Sequence, residues 1–204
     1  CQILSDSAQN APNTIFSYPA TNIGKQFKIT SKLITGGLST PFYRLYQHGY
    51  DTHGDQTSRH EILLSELSTA LNVFINEMET LGLLDRILIV TTSEFGRRVY
   101  ENGSGGTDHG TSAPIFIFGS NINSGIFGSD PDFNHLDEND NLQVQFDYRQ
   151  VYTSIITDWF GLDQSVVNQV FSENFSKISF VNTSLRSENY IKPANIEIQA
   201  PYPN

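Results

Sequence analysis

Residues 85–119 read DRILIVTTSEFGRRVYENGSGGTDHGTSAPIFIFG, and the expected fold turns on how this stretch alternates apolar runs with polar, glycine-rich loops. Arg86–Thr92 is a continuous apolar run of strand length, the pattern of a parallel strand covered on both faces. Pro114–Phe118 is a second buried strand, and SEFGRR and ENGSGGTDHGTSA between them read as loops at strand ends. Upstream, Ser58-Arg-His-Glu61 has the form of a capping box, followed by Leu63, Leu67, Ala70, Leu71, Phe74, Met78 and Leu81 at helical spacing as far as Gly82. Further upstream, PFYRLYQ (41–47) is β-prone and feeds the polar loop YDTHGDQTSRH. Downstream, an Asp-rich stretch over 130–147 precedes a helix expected from about Tyr148 to Phe160. Strand, loaded loop, helix, strand, loaded loop, strand is an α/β order.

At the amino-terminal side, residues 25–35 predict a short helix with Phe27, Ile29 and Leu33 inward, and residues 1–24 predict a loop-rich lead-in. Residues 25–171 then form the body of the domain. From Ser172 to Asn204 periodicity fades into Asn and Ser, predicting an extended C-terminal arm or linker. The chain of 204 residues fits one domain or a large piece of one. Its 38% hydrophobic and 12% aromatic content predicts a packed interior.

Charge removes several classes of function. Twelve Lys plus Arg against 22 Asp plus Glu give −10, and between Val99 and Tyr148 there are eight acidic side chains and no Lys or Arg. Such a chain repels nucleic acid and anionic membrane surfaces, and its acidic face favours cations. No apolar run reaches the ~18 residues of a membrane span, so membrane insertion is not expected. The single cysteine, Cys1, excludes an internal disulfide; at that position it is either a lipid-anchor site or simply where the sequence begins.

Three clusters fall at the ends of the predicted strands, where open parallel sheets place their ligand sites. They are Asp51-Thr-His53-Gly-Asp55, Thr92-Ser-Glu94-Phe-Gly96-Arg97 and Thr107-Asp108-His109-Gly110. Carboxylates and imidazoles gathered from separate loops suit a divalent metal. Each also has a plainer reading. Asp51 and Asp55 fit helix caps, His53 and His48 fit solvent-facing loop positions, Glu94 fits an ion pair with Arg97 or Arg98, and His109 fits a glycine-flanked turn. Weaker signals fail on spacing. GSGGT lacks the following Lys-Ser or Lys-Thr of a P-loop, and the calcium-loop spacing from Asp130 meets His135 where Gly is needed and Asn141 where Glu is needed. Ser93 lies outside any G-x-S-x-G elbow.

The strings GYDTHGDQTSRHEILLSELSTALNVF (49–74), the 85–119 stretch and DYRQVYTSIITDWFG (147–161) resemble the bacterial family called domain of unknown function 1501. These are exported proteins, often with a twin-arginine signal, related to the alkaline phosphatase and sulfatase superfamily. The resemblance covers about residues 18–162. It implies an exported, periplasmic, cell-surface or secreted location and the C-terminal half of a longer protein whose nucleophile lies before Cys1 or is absent. It also implies a three-layer α/β sandwich with a mostly parallel sheet, in which strands 41–47, 86–92 and 114–118 are neighbours and the long helix is their crossover.

By the same resemblance, the superfamily's Asp-x-x-x-His pair falls on Asp51 and Asp55, with His53 as stand-in for the replaced His. Its strand-end metal-binding Asp falls on Glu94, Phe95 stands where its His belongs, and its late metal-binding His falls on His109. The altered set implies a divalent ion, calcium, magnesium or manganese fitting it better than zinc, or else a site that has lost activity. The implied activity is metal-dependent hydrolysis of a phosphoric or sulfuric ester, with Arg97 holding the small anionic substrate. The alternative is an inactive exported protein that keeps the fold for binding, for example of glycans. Asp51, Glu94 and His109 are expected to converge, with clustered carboxylates raising one pKa unless Arg97 or Arg98 neutralises them. The ending APYPN resembles the start of a type IX secretion sorting domain, or is a Pro-rich linker.

Overall fold

In the computed structural model the described residues are 2–182; Cys1, most of the predicted arm and the APYPN ending lie outside them. The chain divides into two compact units. One comprises the chain up to Asp85 together with Phe95–Gly110, and the other Arg86–Glu94 together with the chain from Thr111 onward.

The first unit is built on three helices, α1 (Gln2–Asn10), α2 (Asn22–Thr35) and α3 (Gln56–Thr80). The long periodic helix is where the sequence puts it, and Ala70, Leu71, Phe74 and Met78 are buried. Leu81, expected inward, is 37% exposed just past the helix end. The Ser58–Glu61 box does not cap α3: Asp55 precedes the helix in a left-handed conformation (φ 51°) without a side-chain cap, and Ser58 Oγ donates to the Asp55 carbonyl at 3.1 Å.

α2 begins inside the stretch expected to be loop, with Thr21 Oγ1 accepting from the Gly24 N–H at 3.2 Å. Its inner face is Ile23, Phe27, Thr30 and Ser31, and Phe27 meets Phe74 with ring centroids 5.2 Å apart. Ile29 instead faces solvent at 57% exposure. Two polar residues on the buried face broke the apolar pattern from which the helical register was read. α1 was hidden for a related reason: its buried residue is Ser7, and Ile3 and Leu4 are exposed.

The buried face of α2 is polar because it meets a buried carboxylate. Glu77 of α3 is 1% exposed and accepts hydrogen bonds from the Ile15 N–H, Tyr18 Oη and Ser31 Oγ, each at 2.6 Å. Burial, reinforced by Glu77, pushes the Tyr18 hydroxyl above the ordinary tyrosine range and keeps it a donor. One side chain thus ties the 15–18 segment, α2 and α3 together.

The expected three-layer sandwich with its parallel sheet is overturned. The strands β1 (Ile89–Val90), β2 (Gly96–Glu101), β3 (Thr107–Gly110) and β4 (Ile117–Phe118) form two separate two-stranded sheets, both antiparallel. In the second unit β1 pairs with β4 in the register Ile89↔Phe118 and Val90↔Ile117, so the two apolar runs that were to lie parallel run opposite ways. A continuous apolar run does not report strand direction, and its burial here is only partial: Ile115 and Phe116 are 38% and 50% exposed. Burial here comes from one packed cluster: Leu88, Val90, Ile117 and Ile122 pack against Val151, Trp159, Phe160, Ile178, Phe180 and Val181. Residues 178–181 of the expected arm therefore lie in this core.

Segment 41–47, the third expected strand, pairs with no strand among the described residues. The Gln26 side chain takes the place of one, donating through Nε2 to the Tyr46 carbonyl at 2.7 Å and accepting from the Tyr46 N–H at 2.8 Å. Gln47 Nε2 then donates to the Leu63 carbonyl on α3 at 2.9 Å. With no parallel strand to lead into, α3 is not a crossover.

The helix expected at 148–160 is present as α4 (Tyr148–Ser154), continued by a π-helical turn (Ile155–Trp159) and, after a short break, α5 (Gln164–Val170). Asp147 opens α4 with a capping box, accepting from the Arg149 N–H at 2.9 Å while Gln150 Oε1 accepts from the Asp147 N–H at 3.0 Å. The acidic loop before it is held by its own side chains: Asp137 Oδ1 accepts from the Asn139 and Asn141 N–H groups, both at 2.8 Å.

Candidate metal centre

The segment expected to be a strand-end loop is a hairpin in the first unit. Strands β2 and β3 pair Gly96↔Gly110, Arg97↔His109 and Glu101↔Thr107, with a bulge between Arg97 and Glu101. Asn102 builds the turn: its Oδ1 accepts from the Ser104 N–H at 2.9 Å and the Gly106 N–H at 3.2 Å. The same side chain reaches the 51–55 loop, Nδ2 donating to the His53 carbonyl at 3.1 Å. From the turn, the Gly105 carbonyl accepts from the Gln56 N–H at 3.0 Å, satisfying one of the free donors at the start of α3. Helix, loop and hairpin are thereby locked into one frame.

Backbone packs directly on backbone at this junction. A Cβ on Gly106 would lie 2.5 Å from the Thr52 oxygen and 2.5 Å from the His53 carbonyl carbon. Gly106→Ala is therefore expected to push the hairpin off the 52–54 loop and destabilise by about 1–3 kcal/mol, the usual range for overpacking. Gly103→Ala, where a Cβ meets nothing within 4 Å, is expected to be nearly neutral. Urea denaturation of the two variants checks the contrast.

On this frame three side chains from two distant segments meet. His109 Nε2 is 2.8 Å from Asp51 Oδ1, His53 Nε2 is 3.2 Å from Asp51 Oδ1, and the two Nε2 atoms are 3.2 Å apart. Among the described residues, Asp51, His53 and His109 are the group able to hold a metal ion. Their mutual spacing matches one face of a tetrahedral shell, in which ligands ~2.0–2.1 Å from an ion stand roughly 3.3 Å from one another. The side chains of Asp51, His53 and His109 are 62%, 51% and 46% exposed, so the group opens to solvent on its remaining side.

The hydrogen bond with His109 and, after it, the proximity of His53 and Arg97 hold the Asp51 carboxyl below the ordinary aspartate range. Of the two expected outcomes, the structure has the neutralised one: Arg97 Nη2 lies 3.6 Å from Asp51, and two imidazoles rather than a second acid complete its surroundings.

Asp51 and His109 converge as expected, with His53 as the third member. Asp55 is exposed at the start of α3, its backbone in the left-handed conformation. Glu94 is exposed at the end of its segment in the second unit. Arg97 lies across the hairpin from His109, donating to the Thr107 carbonyl at 2.6 Å and to the Tyr50 carbonyl, with Nη2 3.6 Å from Asp51. Its first role is to fix the loop that carries Asp51.

Two residues outside the candidate ligand set support the group. Phe95, noted in the sequence for the histidine it displaces, stacks flat on the His109 ring at 3.7 Å between centroids and 10° between planes, with the Arg97 guanidinium 5.0 Å from its centroid. Asp108 meets the far nitrogen of His53, Nδ1, at 3.3 Å. The pairing of Arg97 with His109 across β2 and β3 is the signal that could have found both, because it requires reading 96–110 as a hairpin.

No curated protein and no solved structure matches this chain. Residues 8–171 match the family described as "Protein of unknown function (DUF1501)". That span is far more than half of the sequence, and the chain belongs to this family.

Proposed function

We propose that this chain binds one divalent transition-metal ion through Asp51, His53 and His109 and uses it as a Lewis acid in hydrolysis of a phosphoric or sulfuric ester. The observation that carries the reading is the convergence of two imidazole nitrogens and one carboxylate oxygen at mutual distances of 2.8, 3.2 and 3.2 Å. Two nitrogen ligands in three favour zinc, manganese, iron or cobalt over the calcium and magnesium implied by the altered sequence motif. Three protein ligands with an open side is the arrangement of catalytic rather than structural zinc sites, leaving room for water or substrate.

The ion would polarise an ester oxygen and stabilise the charge that develops in hydrolysis. Arg97, within 3.6 Å of Asp51, adds positive charge beside the same centre, which suits an anionic ester. The resemblance of the quoted strings to exported relatives of phosphatases and sulfatases supports the substrate class and action outside the cytoplasm.

Calorimetric titration of the chelator-treated protein with zinc, manganese and cobalt, followed by aryl phosphate and aryl sulfate assays of the full-length protein with each metal, tests both halves of the reading; the isolated chain is expected to be inactive. Binding with turnover supports it. Binding without turnover on either ester overturns the hydrolase half in favour of a metal-held binding protein, and no binding of any of the three metals overturns the whole.

A further inference from the structure

The geometry points to His60 as a positioning residue for the loop that carries Asp51 and His53, acting through Thr52, a role that rests on the metal reading above.

The two ligands of this loop flank Thr52. Their side chains are more than half exposed, whereas Thr52 is 1% exposed, so the residue between them is the one that anchors the loop inward. Where Thr52 is fixed, its two neighbours are fixed with it. The Thr52 N–H folds back on the Tyr50 carbonyl at 2.9 Å. Its hydroxyl makes two contacts: Oγ1 lies 3.0 Å from His60 Nε2 and 3.4 Å from the Tyr50 carbonyl oxygen. The shorter contact is the one that leaves the loop.

His60 is half-buried on the second turn of α3. Its ring also meets the Tyr50 ring edge-on, with 5.5 Å between centroids, so it touches both the residue before Asp51 and the residue after it. The hairpin fastens the same loop by its backbone, through Arg97 on the Tyr50 carbonyl and Gly106 against the Thr52 oxygen. The helix fastens it by side chains. Groups carried on helices hold a ligand constellation more precisely than loop residues do, and such constellations work only within ~0.5 Å of the productive geometry. Without His60 the Thr52 hydroxyl keeps only the 3.4 Å contact, too long for a good O–H···O hydrogen bond, and Asp51 and His53 are free to spread apart. Losing an outer partner of a metal site typically costs ~10–100-fold in affinity. Because His60 acts through the chain rather than on a ligand, its loss falls at the ~10-fold end.

The test titrates wild type, His60→Ala, Thr52→Val and the double variant with cobalt(II) at a temperature where all are folded, recording the visible spectrum of the bound ion. Thr52→Val keeps the buried shape and removes the hydroxyl. Each single variant is expected to lose ~10-fold in cobalt affinity and to alter the spectrum. The double variant is expected to lose no more than the weaker-binding single, because both changes cut one link. Leu71→Ala is the structural control: buried about 16 Å further along α3, it is expected to lower the melting temperature while cobalt affinity and spectrum stay as in wild type. Wild-type affinity in His60→Ala, losses that add in the double variant, or an equal loss in Leu71→Ala overturns the role. Should His60→Ala not fold, wild-type cobalt affinity in Thr52→Val overturns it alone. Failure of the wild type to bind cobalt overturns the metal reading instead, a result that no variant is needed to see.

Discussion

His109→Ala is expected to abolish the stabilisation that zinc gives the wild-type protein. A ligand that binds only the folded state stabilises it by about 2.7 kcal/mol at 100 times its Kd. That increment should be visible as a rise in melting temperature when zinc is added to the wild type. His109 Nε2 lies 2.8 Å from Asp51 and 3.2 Å from His53 Nε2, so deleting the ring removes one of three ligands. The expected loss in affinity exceeds the ~10–100-fold typical of a residue behind the ligands. Without metal the variant should be nearly as stable as wild type, because the side chain is about half exposed and its largest fixed contact is the stack on Phe95, a pair of the kind worth ~0.5–1.5 kcal/mol. Thermal scans with and without zinc separate the two effects. A zinc-induced shift that survives in His109→Ala would remove His109 from the site.

The largest loss of stability is expected at Glu77. A buried carboxylate can be a net burden, in which case a well-packed apolar residue in its place stabilises the protein. Glu77 is the other case, because three donors converge on it: the Ile15 N–H, Tyr18 Oη and Ser31 Oγ all end on its two oxygens at 2.6 Å. Removing the acceptor leaves those donors unpaired in a site that is 1% exposed, at a cost of about 1–3 kcal/mol for each donor that water cannot reach. Glu77→Ala is therefore expected to destabilise by about 3 kcal/mol or more. Glu77→Leu should do no better despite its apolar bulk, while Glu77→Gln, which keeps one carbonyl oxygen, should lose less. Urea denaturation midpoints of the three variants provide the measurement. A Glu77→Leu protein as stable as wild type would show the carboxylate to be a tolerated burden rather than the tie between α2, α3 and the 15–18 segment.

Much of the candidate site was legible without coordinates. Asp51, His53 and His109 stand out as metal-ligand types in glycine-flanked polar segments, and their chemistry depends on residue type rather than on the fold that carries them. What the sequence could not convey was how they are carried. Reading 93–113 as loop between parallel strands put the ligands at the edge of a sheet that does not exist; as β2 and β3, the same residues place Arg97 opposite His109. Phe95 and Asp108 gain their roles only through that pairing, because a ring stack and a carboxylate behind an imidazole are relations between residues that no local pattern encodes.

The sequence by itself determined the long helix α3, the helix from Tyr148, the acidic balance and the identity of the metal-ligand candidates. Each of these follows from local periodicity or from side-chain chemistry, and needs no knowledge of what lies across the chain. The tertiary structure alone decided strand direction, the inner face of α2 and the assembly of the centre. The apolar runs at 86–92 and 114–118 form an antiparallel pair, with Leu88, Val90 and Ile117 partly buried on the cluster of Val151, Ile178, Phe180 and Val181, and apolar composition does not encode that direction. Gln26 satisfied the backbone of Tyr46 where a strand was expected, and Glu77 made a polar helix face an interior one. At Glu77 a hydrogen-bond partner distant in sequence overrode the local hydrophobic pattern, because a buried polar group left unpaired costs more than an apolar side chain left in water gains.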